Sequence, residues 1–225
     1  MGRRSATLGR QHVTGHAGWP YAAGMVKVTR PALPAAVAAL AAASLLAPTP
    51  PAQSFETWSN RVLIGGVTNK QYWMAAGVEA NYFDATNQGV GRWNQAPSVP
   101  VSFSRTMNKP ASEMDFYRTA DDNPRRDYCA ITWHIVGTTD VNTEPNGAPS
   151  RNWEFGRVYI NQHTFKTPLC GNASRRAPII AHEMGHVMGL AHAGGTTLMA
   201  RTISSPTSPA TAPTQDDRNG INALY

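Results

Sequence analysis

Residues 182–192 read HEMGHVMGLAH, and the rest of the chain is arranged around this stretch. On an α-helix, His182 and His186 lie one turn apart and project from the same face, a spacing at which two imidazoles can share one metal ion. Ser174 as a cap, with Pro178 in the first turn, predicts a helix over Arg175–Gly189. Gly189 can take the positive φ that ends a helix, and the turn there brings His192 back as a third ligand. Neutral imidazole suits Zn2+ at about 2.0–2.1 Å, and a site with three protein ligands keeps a fourth position open for water. Glu183 follows the first ligand, where its carboxylate can reach that water as a general base. A bare H-E-x-x-H is weak. With Gly189 and His192 at fixed offsets, a chance match falls to roughly one in 10⁵ chains at average residue usage. The competing picture is an ordinary helix with surface histidines.

Upstream of this helix the chain reads mostly as strands. RVLIGGVT (Arg61–Thr68), VPVSFSR (Val99–Arg105), YCAITWHIVG (Tyr128–Gly137) and RVYIN (Arg157–Asn161) are rich in branched and aromatic residues. Met74–Trp93 places Val78, Tyr82, Phe83, Val90 and Trp93 at helical spacing, although Gly89 and Gly91 weaken its end. A polar stretch covers Thr138–Asn152, and a Gly/Ser/Thr/Pro-rich loop covers Ala193–Pro213. Thr214 and Asp217 have capping-box spacing before a short terminal helix whose apolar face is Ile221 and Leu224. Strands before helices imply an α+β fold: a twisted sheet, one long helix and a helical tail.

The formal charge of +6 does not point to nucleic acid. Residues 1–52 hold Arg3, Arg4, Arg10, Lys27 and Arg30 and no acid, while the remainder has 15 basic against 14 acidic residues. A nearly neutral domain lacks the electrostatic footprint of phosphate binding. The basic leader instead resembles an export signal: Ala35–Ala47 is apolar apart from Ser44, Lys27 and Arg30 flank it, and Pro48–Pro51 stops any helix. Such a run is too short for the roughly 20 residues that span a bilayer, so no stable membrane insertion is expected. The chain therefore divides into a leader, 1–52, and a domain, 53–225. Met25 is an alternative start, and twin-arginine export through Arg3-Arg4 is the minor alternative route. Two cysteines in an exported chain, Cys129 and Cys170, suggest one disulfide, against the alternative of two buried thiols.

The full pattern H-E-x-x-H-x-x-G-x-x-H followed by a Met-turn defines the metzincins. Here Met199 follows His192 in TTLMAR, and the chain closes with Gln215, Asp216, Asp217, Gly220, Ile221, Leu224 and Tyr225. With that ending the chain resembles the matrixins, the matrix-metalloproteinase group, across most of 57–225 and most strongly from about 178 onward. The resemblance implies a metzincin-like catalytic domain with a mostly parallel sheet, an active-site helix and a C-terminal helix. It implies a secreted, extracellular, monomeric zinc endopeptidase acting on peptide or protein substrates. Zinc would be held by His182, His186 and His192, with Glu183 as catalytic base and Met199 in a tight turn as a hydrophobic floor. Substrate backbone would pair with a sheet edge near Arg157–Asn161.

The chain departs from the family in several places. It lacks a PRCGxPD-type segment, so cysteine-switch latency is not carried over, and the short interval between leader and first strand leads one to expect activity as soon as the domain is exported and folded. The run that holds the family's structural zinc is not recognisable, and the spare His134 and His163 read as structural residues. Ala200-Arg201-Thr202 replaces the family's Pro-x-Tyr. Asp140, Asn142 and Glu144 form an oxygen-rich loop readable as a Ca2+ site or, since EF-hand spacing fails, as a solvated loop. Two other functions compete: a metzincin outside the matrixins, and a secreted zinc-binding protein without catalysis.

Overall fold

Burial alternates along Lys70–Met74 (KQYWM), the pattern of a strand with one face in a core, and these residues form β1. The structure is a computed structural model and describes residues 55–120, 128–201 and 210–225; the leader, with its export reading, and part of the loop before the terminal helix lie outside them. The strand expected over Arg61–Thr68 does not form. Gly65 and Gly66 take positive φ and turn the chain, and Leu63, fully buried, makes only an isolated bridge to Trp153.

The first helix, α1 (Ala76–Asn94), runs where its apolar spacing placed it, through both glycines, with Val78, Tyr82, Val90 and Trp93 buried. Phe83 departs from the expected face and is exposed; the helix leaves helical geometry at Tyr82, where φ is −135°. Strand β2 (Phe103–Arg105) is shorter than its sequence suggested. Strand β3 (Met114–Arg118) was not foreseen, because the acidic Asp115, its second residue, is buried within it. Then follow β4 (Ala130–Val136), the two-residue β5 (Thr139–Asp140) inside the expected loop, and β6 (Phe155–Ile160).

The six strands form one sheet in the order β2-β1-β3-β6-β4-β5. The joins from β2 to β6 are parallel, and β4 runs antiparallel to both of its neighbours. The sheet is thus mostly parallel, as expected, but the edge was misplaced. Arg157–Ile160 belong to β6, which is paired on one side with β3 and on the other with β4, so no peptide can add there. The strand nearest the open side is β4, whose outer neighbour β5 pairs only with Ile135 and Val136.

After a one-turn helix α2 (Pro168–Gly171), the central helix α3 (Ala173–Val187) starts two residues earlier than expected. Its cap is Asn172, whose Oδ1 accepts from the Ser174 amide at 3.1 Å, so Ser174 is inside the helix and Pro178 falls in its second turn. Two fully buried tryptophans hold this helix: the Trp93 indole donates to the Ala181 carbonyl and the Trp153 indole to the Val187 carbonyl, each at 2.8 Å. These contacts flank the histidine motif. The closing helix α4 (Gln215–Leu224) begins with the expected Thr214–Asp217 capping box, and Ile221 is buried on its inner side.

Cys129 and Cys170 are bonded, with Cα atoms 5.7 Å apart. The bond ties the start of β4 to α2, the segment that enters α3. Closing a loop of this length (sequence separation 41) stabilises by roughly 4 kcal/mol on the loop-entropy model. The native protein is therefore expected to show no alkylatable thiol, and mild reduction should lower its melting temperature and loosen the β4–α3 contact. Two thiols labelled in native material would refute the pairing.

Candidate metal centre

The site is built on the C-terminal end of α3. Gly189, at φ 105°, ends the helix. The Leu190 amide donates to the Gly185 carbonyl and the Gly189 amide to the His186 carbonyl, the two bonds of a Schellman motif. The remaining carbonyls of the turn are also met: Val187 by Trp153, Met188 by the Tyr225 hydroxyl at 3.0 Å, and Gly189 by the Trp58 amide at 3.2 Å. With its backbone polar groups satisfied, the turn can hold one shape, and that shape returns His192 to the helix face.

His182, His186 and His192 offer ring nitrogens that all lie within 4.8 Å of one another. Their tautomers follow from their partners. His182 Nδ1 lies 2.7 Å from the Leu198 carbonyl and His186 Nδ1 2.8 Å from the Leu190 carbonyl. A carbonyl only accepts, so each Nδ1 carries the proton and each Nε2 keeps a bare lone pair, the state a metal requires. His186 Nε2 and His192 Nε2 face each other at 3.3 Å. Burial pushes the imidazoles towards their neutral form, helped by the neighbouring rings at His186 and by His182 and Arg201 at His192: His182 lies below its ordinary value, His186 well below it, and His192 down to about 4. Three neutral, convergent nitrogen donors fit Zn2+. Among the described residues no other group of His, Cys, Asp and Glu is so arranged.

Beneath the site, Thr197–Ala200 makes a tight turn closed by the Ala200 amide on the Thr197 carbonyl. Met199 is buried and packs so close to Gly185 that a Cβ there would lie 2.3 Å from its sulfur. Met199 thus sits in the tight turn expected of it, packed on Gly185 of α3. Asp217 of α4 holds the turn, accepting from the Leu198 and Met199 amides at 3.0 and 3.2 Å. Asp217 thus orients His182 through the Leu198 carbonyl, a second task beside the capping that its spacing announced.

Glu183 is buried, and burial pushes its carboxyl up to about 7. Thr132 of β4 donates its hydroxyl to Glu183 Oε2 at 2.7 Å, and the Asn146 side chain, fastened to the Thr132 amide, helps to lower the Glu183 carboxyl against the effect of burial. Neither residue belongs to any motif; only the packing of β4 on α3 reveals them. Trp58 is another residue that the sequence did not announce, its ring centroid 5.9 Å from that of His186. A cleft beside His192 is lined by Trp58, Tyr128, Ile131, Asn146 and Arg201, among others.

Of the spare histidines, His134 is fully buried on β4 and donates from Nε2 to the His186 carbonyl at 2.9 Å, with its pKa held down to about 4 by burial. It braces the helix end and lies outside the donor set, as does His163, which precedes a short 3₁₀ turn. In the oxygen-rich loop, Asn142 Oδ1 accepts from the buried His134 amide at 2.8 Å, a structural use of one of the three oxygens considered for Ca2+. No helix among the described residues is long and apolar enough to cross a membrane.

Residues 78–225 match the family model described as Matrixin. No curated protein matches the chain.

Proposed function

From the premise that this chain belongs to the matrixins, a family of zinc metalloendopeptidases, we propose that His182, His186 and His192 are its zinc ligands and Glu183 its catalytic base. The observation that carries the reading is the tautomer set: two backbone carbonyls leave the Nε2 lone pairs of His182 and His186 bare beside His192. Zinc bound there supplies a Lewis acid that lowers the pKa of a water towards neutrality. The Glu183 carboxylate, held at Oε2 by Thr132, takes the proton of the attacking water and returns it to the departing amine. The presence of this carboxylate favours catalysis over a zinc-binding protein without activity.

The substrate is a peptide or protein. Its extended backbone pairs with the outer edge of β4, the strand that passes Glu183 through Thr132, in the manner of an added strand. Residues 53–225 form the catalytic domain and 1–52 a leader removed on export, and the domain acts outside the cell as a monomer. The disulfide supports that location.

The test uses protein collected from the medium of expressing cells, with an unfolded protein as substrate. Its N-terminus is expected near Gln53. Cleavage should stop with a zinc chelator and return when zinc is restored. Cleavage that a chelator does not touch would remove the metal from the mechanism.

A further inference from the structure

The outer edge of β4 is already occupied by the chain's own loop. Along β4, Cys129 and Ile135 turn their carbonyls towards the β6 side, to Asn161 and Glu154, so the alternate residues Ala130, Thr132 and His134 face outward. The Val141 amide donates to the His134 carbonyl, and Asn142 Oδ1 accepts from the His134 amide. At Thr132, Asn146 makes both bonds that a neighbouring strand would make: its amide donates to the Thr132 carbonyl at 3.0 Å and its Oδ1 accepts the Thr132 amide at 2.5 Å. An added peptide would need the Thr132 positions.

The loop has a fixed base and a partly exposed tip. At the base, Asn142 bridges Pro149, the Ser150 amide donates to the Val141 carbonyl at 2.7 Å, and Val141 and Asn142 are buried. In the tip, residues 143–148, Thr143, Glu144 and Ala148 are exposed, and Glu144 through Ala148 line the cleft beside His192. Asn146 is the residue that fastens this tip to β4. It sits at φ 52°, a left-handed conformation that asparagine tolerates but glycine adopts freely.

We propose that residues 143–148 are a lid over the cleft, latched by Asn146 in the place of substrate, and that a peptide must displace Asn146 to reach Thr132 and Glu183. The lid rests on the reading of β4 as the substrate edge. It gives the domain a means of restraint that needs no separate segment, and so revises the expectation that folding alone confers full activity.

The variant Asn146→Gly keeps the backbone conformation while removing the side-chain bond to the Thr132 amide. On the zinc-loaded, secreted protein it should raise kcat/KM for an extended peptide about tenfold, the scale of one lost hydrogen bond. Zinc content should not change, and the Thr132 amide should exchange with deuterium faster than in the wild type. In the wild type, adding a short peptide hydroxamate should speed exchange at the Asn146 amide while Thr132 stays protected. Equal or lower kcat/KM in the variant with zinc retained, or an Asn146 amide still protected under bound hydroxamate, overturns the lid alone. If neither protein cleaves any peptide although both hold zinc, the assignment of Glu183 and the β4 edge to hydrolysis falls, and the lid falls with it.

Discussion

Replacing Glu183 with alanine is expected to leave zinc in place and remove nearly all peptide cleavage. The carboxylate lies outside the three-nitrogen donor set, so metal content should remain at about one equivalent per chain. General-base catalysis contributes about 10²–10⁴-fold, and kcat should fall by that range. The fold should survive, because Thr132 also donates to the Glu183 backbone carbonyl at 3.2 Å, which keeps β4 tied to α3 when the carboxylate is gone. Removing a buried acid whose pKa is raised by burial also removes a desolvation cost. Zinc content and turnover measured on the same preparation decide the matter. Undiminished kcat with zinc bound would mean that another group activates the water.

His186→Ala is expected to act on the metal itself. His186 is fully buried at the centre of the site, between His182 and His192, with ring centroids 4.8 and 4.7 Å away. Without it two nitrogens remain, too few for the three-ligand arrangement of a catalytic zinc. Zinc should drop well below one equivalent after purification without chelators, and cleavage should go with it. The turn after α3 should persist, since its Schellman bonds and the His134 contact use the backbone of residues 185–190 rather than the His186 ring. Metal analysis of the variant is the check. A full equivalent of zinc in this variant would place the metal elsewhere.

The donor set could be read from the sequence because it is local. Helical spacing places His182 and His186 on one face, and Gly189 permits the turn that returns His192; these depend on neighbouring residues alone. The α4 capping box and the amphipathic α1 were legible for the same reason. Strand Met114–Arg118 was not, because a buried Asp115 hydrogen-bonded by Ser112 and Tyr117 looks polar until its partners are known. The chain cannot announce which strand lies at the edge, since order within a sheet is set by long-range pairing; Arg157–Ile160 carries the β-rich composition of an edge or an interior strand equally well. The groups around Glu183 also belong to tertiary structure. Thr132 is 51 residues from Glu183, and Asn146 lies on a loop whose polar composition suggests only solvent exposure. The sequence by itself determined the three histidines, the adjacent acid and the helix that carries the first two, because a helical turn and the glycine turn that follows it are set by neighbouring residues and need no distant partner. Only the tertiary structure decided the substrate edge, the Asn146 latch upon it and the Asp217 brace beneath, because each is a contact between segments far apart in the chain.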